Sequence, residues 1–298
     1  MGHPVLWKCC RYAATNAVVL EVFWSVAKSE IVVEMKWLFL SPHLDDAVLS
    51  CGGLIAELSS KSKVEIWTPF CGAPWCGPYS NVAKWLHGVS GGRTGNRLTN
   101  QRRQEDQTAC KILGAGFRHL KWYDAVYRKS GWKRFLYPDT CQSEINNADE
   151  ILVRGITQQL QRFLAFDDVM FVPLSLGGHV DHRIVRAAAE GTGHNCLVYY
   201  PEIPYLQRYP EQVAANTQDL SSLLCQLDAK DIELWTKAVA CYHSQLTMLE
   251  TAAGPLAAML EEYRSNPMKL FVRSGEFSRA ISECLMSLSN GRPHDEGC

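Results

Sequence analysis

Two short stretches of this 298-residue chain concentrate histidine and aspartate: Ser41-Pro42-His43-Leu44-Asp45-Asp46 and Gly177-Gly178-His179-Val180-Asp181-His182. Imidazole and carboxylate are what a catalytic Zn²⁺ takes, three ligands from the protein with one position left for water. His43 and Asp46 lie three residues apart across a turn, close enough to grip one ion, and His182 could complete the set from the second stretch. Successive residues at a helix start diverge by about 100°, so Asp45 points away from Asp46 and could face a bound water. Zinc brings the pKa of such a water to about 7, and a nearby carboxylate can take its proton as it attacks a carbonyl. His179 lies three residues before His182, on the same helix face. As imidazolium it could stabilise an oxyanion or protonate a leaving amine. Asp181 could hold a histidine Nδ1–H from behind. Each stretch has a plainer reading, since an Asp-Asp pair after a strand is often a helix cap. Taken together, each after a buried strand of one sheet, they favour a metal.

Those side chains meet only if the fold brings two strand ends together. Residues 36–41 form an apolar run stopped by Pro42 and read as a buried strand. Residues 47–59 carry Val48, Leu54, Ile55 and Leu58 at helical spacing. Further strands are expected at 63–70, 117–123, 169–176 and 196–200. Helices are expected at 101–113, closed by Gly114, and at 148–166 and 179–190. Residues 71–100, rich in Gly, Pro, Ser and Asn, read as a long loop, and loops of that length in compact domains tend to be functional. Residues 125–147 form a second irregular stretch. Towards the end, 220–249 reads as one or two helices, 255–264 as another and 268–272 as a last strand. Alternating strands and helices imply βα units: a single α/β domain with a mostly parallel sheet and helices on both faces. Sites in such sheets form at the carboxyl edge, where both motifs fall.

Composition narrows the function classes. Lys+Arg 30 against Asp+Glu 31 gives a net charge of −1, which argues against nucleic-acid capture, since that wants a clustered basic excess. No apolar run approaches the roughly 18 residues of a spanning helix. The twelve cysteines include no C-x-x-C pair and read as free thiols in a reducing compartment, the cytoplasm. At the N-terminus Lys8 and Arg11 precede a mostly apolar stretch, 13–26, in the manner of a signal peptide, but Asn16 and Glu21 interrupt it. Met35 opens directly onto the first strand, so 1–34 reads as an extension outside the fold and 35–298 as the domain.

The two motifs resemble the signatures of the LmbE-like, or PIG-L, family of zinc-dependent N-acetyl-sugar deacetylases. That family carries A-H-P-D-D-E after its first strand and H-x-D-H after its fourth. This chain reads S-P-H-L-D-D-A-V-L-S-C-G-G and G-G-H-V-D-H-R-I-V-R. The first is similar to a branch that includes deacetylases acting on glycopeptide antibiotics. Arg102-Arg103-Gln104-Glu105 through Leu113-Gly114, Glu202-Ile203-Pro204-Tyr205, and Lys237 through Tyr242-His243-Ser244-Gln245 match further family patterns in order, over 35 to about 280. The resemblance implies a Rossmann-like α/β sandwich. It implies His43, Asp46 and His182 as ligands of Zn²⁺ or another divalent cation, Asp45 as general base, and His179 as stabiliser of the tetrahedral intermediate. It implies removal of an N-acyl group, expected to be acetyl, from an amino-sugar-containing small molecule or glycoconjugate, with no nucleotide cofactor. Leu44 and Ala47 depart from the family's proline and glutamate.

Rival readings are a non-catalytic carbohydrate- or nucleotide-binding module of the same fold, against which the intact Asp45 argues, and an amidase for lipid or peptide conjugates. Arg102 reads equally as a solvated partner of Glu105 or as a grip on substrate. Trp75, Tyr79 and Trp85 are candidate substrate contacts through ring stacking, or else pins for their loop. Glu202 and Tyr205 read as a structured turn. The sequence carries no reading of oligomeric state.

Overall fold

The computed structural model describes residues 35–131, 134–273 and 281. The expected extension 1–34 lies outside them. The core alternates β1 (Lys36–Leu40), α1 (Asp46–Ser59) and β2 (Lys63–Thr68), followed by α2 (Asn81–Val89), α3 (Gly95–Leu113) and β3 (Gly116–His119). A two-stranded ribbon follows, β4 (Lys129–Ser130) and β5 (Arg134–Phe135), then α4 (Glu150–Phe163), β6 (Val169–Pro173), α5 (Val180–Glu190) and β7 (Leu197–Tyr200). The remainder comprises α6 (Tyr205–Arg208), α7 (Glu211–Asn216), β8 (Leu220–Cys225), α8 (Ala229–Val239), α9 (His243–Ala253), α10 (Leu256–Glu261) and β9 (Met268–Arg273).

The seven-stranded sheet runs β3-β2-β1-β6-β7-β9-β8. The strands from β3 to β7 are mutually parallel, and β9 and β8 are added antiparallel at one edge. The α/β sandwich is therefore as expected, a mostly parallel sheet between helices. The chain first winds outward from β1 through β2 to β3, then returns to place β6 on the other side of β1. That reversal is a topological switch point, where the two outgoing loops part and leave a crevice at the carboxyl edge.

Alternation along β1 shows why the sheet is covered on both sides. Trp37 and Phe39 enter one apolar cluster, with Leu54, Ile55 and Trp235, while Leu38 and Leu40 enter the other, with Met170, Ile184 and Leu160. Successive strand residues face opposite sides, so a buried strand needs apolar residues throughout. In the first layer, α1 and α8 pack so closely that a Cβ at Gly52 would lie 2.1 Å from the Trp235 ring. Trp235 Nε1 donates to Val48 O, at 2.6 Å.

Two expectations are corrected. The stretch 71–100 is not a loop throughout: it holds α2 and the first turns of α3, which begins at Gly95 rather than at 101. Ser80 caps α2 by accepting from Ala83 N, so a polar residue of the stretch read as loop marks a helix start. The stretch 220–249 is not helical throughout: its first six residues are β8, paired along their length with β9. Leu-Ser-Ser-Leu-Leu-Cys lacks the β-branched residues that mark strands, and pairing with a distant partner overrides local preference.

Candidate active site

The switch point brings the two motifs together. Ser41 leaves β1 and its Oγ donates to His43 O and accepts from Ala47 N. His43 N donates to Asp46 Oδ2 at 2.7 Å. These bonds close the turn so that His43 and Asp46 face the same way, as their spacing suggested. After β6, Ser175 sits in the left-handed region (φ 62). Gly177 follows at φ 71, where a Cβ would also strike the Tyr205 ring at 2.4 Å. The chain then turns into α5, with His179 as its cap: His179 Nδ1 accepts from Asp181 N at 3.2 Å.

His43 Nδ1 lies 3.1 Å from Asp46 Oδ2, and His182 Nε2 lies 3.4 Å from the same oxygen. The donor atoms of the three residues all lie within 4.8 Å of one another. His182 Nε2 is buried and has no hydrogen-bond partner among the described residues. A buried polar atom without a hydrogen bond is costly, and a cation shared with Asp46 and His43 would satisfy this one. His43, His179 and Asp181 form a second such group, but Asp181 is already engaged by Arg128, Ala125 N and His43. The donor set of two imidazoles and one carboxylate suits Zn²⁺ and related divalent cations.

Each of the two imidazoles is aimed from behind. His182 Nδ1 lies 2.9 Å from Glu202 Oε1, which turns Nε2 toward Asp46. His43 Nε2 lies 3.0 Å from Asp181 Oδ2, which turns Nδ1 the same way. Asp181 stands behind a histidine at Nε2 rather than at Nδ1. Carboxylates behind ligating imidazoles fix tautomer and raise basicity. Burial opposes charge on His43, but Asp124, Asp181 and Asp46 outweigh it and raise the imidazole well above its ordinary value. His182 is likewise opposed by burial and lifted by Asp46 and Glu202, to about 9. Burial works to raise Asp46, and His182 with His43 overcomes it, holding that carboxyl well below the usual range.

Asp45 and Arg102 form the other half of the site. Arg102 Nη2 lies 3.3 Å from both oxygens of Asp45, and both residues are buried. Burial pushes the Asp45 carboxyl up to about 7 against the pull of Arg102, with Asp46 adding to the rise. The solvated Arg102–Glu105 pair is not formed. Glu105 turns instead to Ser244, accepting from its N at 3.0 Å and its Oγ at 2.6 Å. The His179 ring stands edge-on to His43, 4.8 Å between centroids. Burial, followed by His43 and His182, pushes His179 well below its ordinary value. His179 Nδ1 accepts from Asp181 N, so a proton on the neutral ring is carried by Nε2.

The aromatic candidates separate. Tyr79 packs edge-on against His87, at 4.7 Å, and against Tyr127, at 6.2 Å, and pins its loop. Trp75 and Trp85 are exposed. Glu202 is more than a turn residue: besides meeting His182 it accepts from Ser175 N and Leu176 N. Sequence reasoning missed three buried residues. Asp124 Oδ2 stands 3.9 Å from His43 Nε2, and Arg128 bridges Asp181 and Asp149. Asp124 follows β3 at the same sheet edge, so the junction rule that found the two motifs would have found it.

A metal-ready histidine–carboxylate cluster at the switch point of a parallel α/β sheet defines a candidate metallohydrolase. Residues 38–191 match the family model described as PIG-L, GlcNAc-PI de-N-acetylase. The chain belongs to that family. It is 31% identical over 177 residues to a 2'-N-acetylparomamine deacetylase of Streptomyces fradiae, covering 56% of this chain and 57% of that one. It is 28% identical over 192 residues to the protein of the same name from Niallia circulans, covering 59% and 69%. The chain thus spans little more than half the length of the first of these relatives. Among solved structures it is similar to the zinc inhibited form of teicoplanin deacetylase (TM-score 0.68, 25% identity, 81% of this chain and 100% of that one). It is also similar to the pseudoaglycone deacetylase of an antimicrobial reagent (TM-score 0.62, 27% identity, 82% and 100%).

Proposed function

We propose that this chain is a divalent-metal-dependent N-deacetylase for an amino-sugar-containing small molecule or glycoconjugate. The observation that carries the reading is the buried His182 Nε2, which makes no hydrogen bond among the described residues and lies 3.4 Å from Asp46 Oδ2 beside His43, with Asp45 adjacent to Asp46 in the chain. His43, Asp46 and His182 would hold a cation such as Zn²⁺, which when bound would polarise the amide carbonyl and acidify water. Asp45 takes the proton from the attacking water and returns it to the leaving nitrogen, so the C–N bond breaks to give an amine and a carboxylic acid, which then ionises and releases its proton to solvent. Arg102 holds both Asp45 oxygens and keeps the carboxylate aimed. His179 donates its Nε2–H to the carbonyl oxygen as negative charge grows there. The names of the relatives support an N-acetylated amino sugar as the substrate class. A module that only binds sugar has no use for a carboxylate placed and clamped as Asp45 is.

Residues 35–298 form the deacetylase domain in this reading, with 1–34 an extension to it. No helix among the described residues is long and apolar enough to cross a membrane. The eight described cysteines are all free, which supports a reducing compartment, the cytoplasm. The test is acetate release from N-acetylglucosamine and N-acetylparomamine by the zinc-loaded chain and by Asp45→Asn. The wild type releases acetate. Asp45→Asn keeps its metal and is about 10²–10⁴-fold slower. A loaded wild type that releases no acetate from any N-acetyl amino sugar contradicts the proposal.

A further inference from the structure

Between Glu65 and Glu105 the chain has no acidic residue, yet it carries Lys84, Arg93, Arg97, Arg102 and Arg103. Arg102 is spent on Asp45, and Arg103 donates to Cys71 O and Asn100 Oδ1. Lys84, Arg93 and Arg97 are exposed, and among the described residues none of them has an ion pair. Exposed apolar side chains accompany them: Trp75 is 84% exposed, Trp85 57% and Val89 37%. Helix α2 buries Ala83, Leu86 and His87. Its outward face holds Lys84, Trp85, Gly88 and Val89, with Trp85 and Val89 one turn apart. Single exposed apolar residues need no explanation, but a group of them does.

The segments that carry these residues are tied to one another. His87 joins them: its Nε2 accepts from Gly95 N at 3.2 Å and lies 2.8 Å from Tyr127 Oη, and its carbonyl accepts from Gly92 N. Asn96 N donates to Pro74 O at 2.9 Å, which places Trp75 beside the start of α3, between Arg93 and Arg97 in the chain. The inner side reaches the catalytic crevice, where Leu86, Leu98, Arg102 and Tyr127 line one cavity with Asp124.

We propose that this outer face docks the protein on an anionic lipid bilayer. Tryptophan seats at headgroup level, half in the apolar layer and half in the polar one. Lysine and arginine beside it are drawn to the negative surface potential, and no acidic residue in the segment opposes them. Three unpaired cations are few for a nucleic-acid phosphate track on a chain of net charge −1. A Trp75 raised on a Pro- and Gly-flanked loop suits insertion into a yielding surface. The inference is independent of the proposed reaction.

The test is flotation of the full chain with vesicles of phosphatidylcholine alone or with added phosphatidylserine. The chain should float only with the anionic vesicles, and added salt should release it. Trp75→Ser with Trp85→Ser, and separately Arg93→Glu with Arg97→Glu, should each weaken partitioning by roughly tenfold or more. Circular dichroism and zinc uptake should match the wild type, and the arginine pair decides the question if the tryptophan pair fails to fold. The proposal is overturned if the wild type ignores anionic vesicles, or if both double variants float as it does. It is equally overturned if only N-acetyl amino sugar, and no vesicle, perturbs Trp75 and Trp85 fluorescence, which would make the face a sugar platform.

Discussion

The two junctions that supply the candidate metal donors are built in opposite ways. The turn after β1 is closed by its own residues: Ser41 Oγ bonds His43 O and Ala47 N, and Asp46 takes the His43 N–H. The turn after β6 is held by residues from elsewhere. Glu202, beyond β7, binds Ser175 N, Leu176 N and the His182 ring. Arg128 and Asp149, from the irregular stretch and the start of α4, brace Asp181. The first junction is closed mostly from within, with Phe70 N on Pro42 O and Arg102 on Asp45 as outside contacts, and the second is a tertiary assembly. One site can therefore lose its geometry in two distinct ways, by a nearby change at the first turn or by a remote one at the second.

This contrast can be broken at each support. Arg128→Met leaves Asp181 and Asp149 buried without their cation, and removing one partner of a buried pair typically costs about 3–5 kcal/mol. Urea denaturation should show a loss of that size although Arg128 touches no metal donor; a loss under about 1 kcal/mol would mean that the second junction stands without its brace. Glu202→Gln keeps the shape but removes the charge behind His182. Zinc affinity by calorimetry should fall about 10–100-fold; an unchanged affinity would show that the imidazole is aimed by packing alone. Ser41→Ala removes only a local cap. It should cost about 1 kcal/mol of stability and leave zinc affinity close to wild type, and a larger effect on zinc than that of Glu202→Gln would reverse the comparison.

The same contrast explains what could be read before the fold was known. His43, Asp45, Asp46, His179 and His182 were readable because each motif follows a buried strand, and carboxyl-edge junctions gather side chains. The parallel sheet was readable from alternating apolar runs. The direction of Arg102 was not, since a helix residue with Glu three places on has two faces to choose from, and the choice was made by Ser244 taking Glu105. Nor was β8, whose strand character comes from β9 some forty residues later. Arg128 and Asp149 lack any periodic pattern, and their role exists only once Asp181 is buried between them and His43.

The central claim is that both junctions share one divalent ion. Calorimetric titration of Zn²⁺ into the metal-free chain, into Asp46→Ala and into His182→Ala tests it directly. One tight site per chain in the wild type, lost in both variants, is the predicted result. A site of undiminished affinity in either variant would contradict it, because the ion would then be held by one junction alone or lie elsewhere.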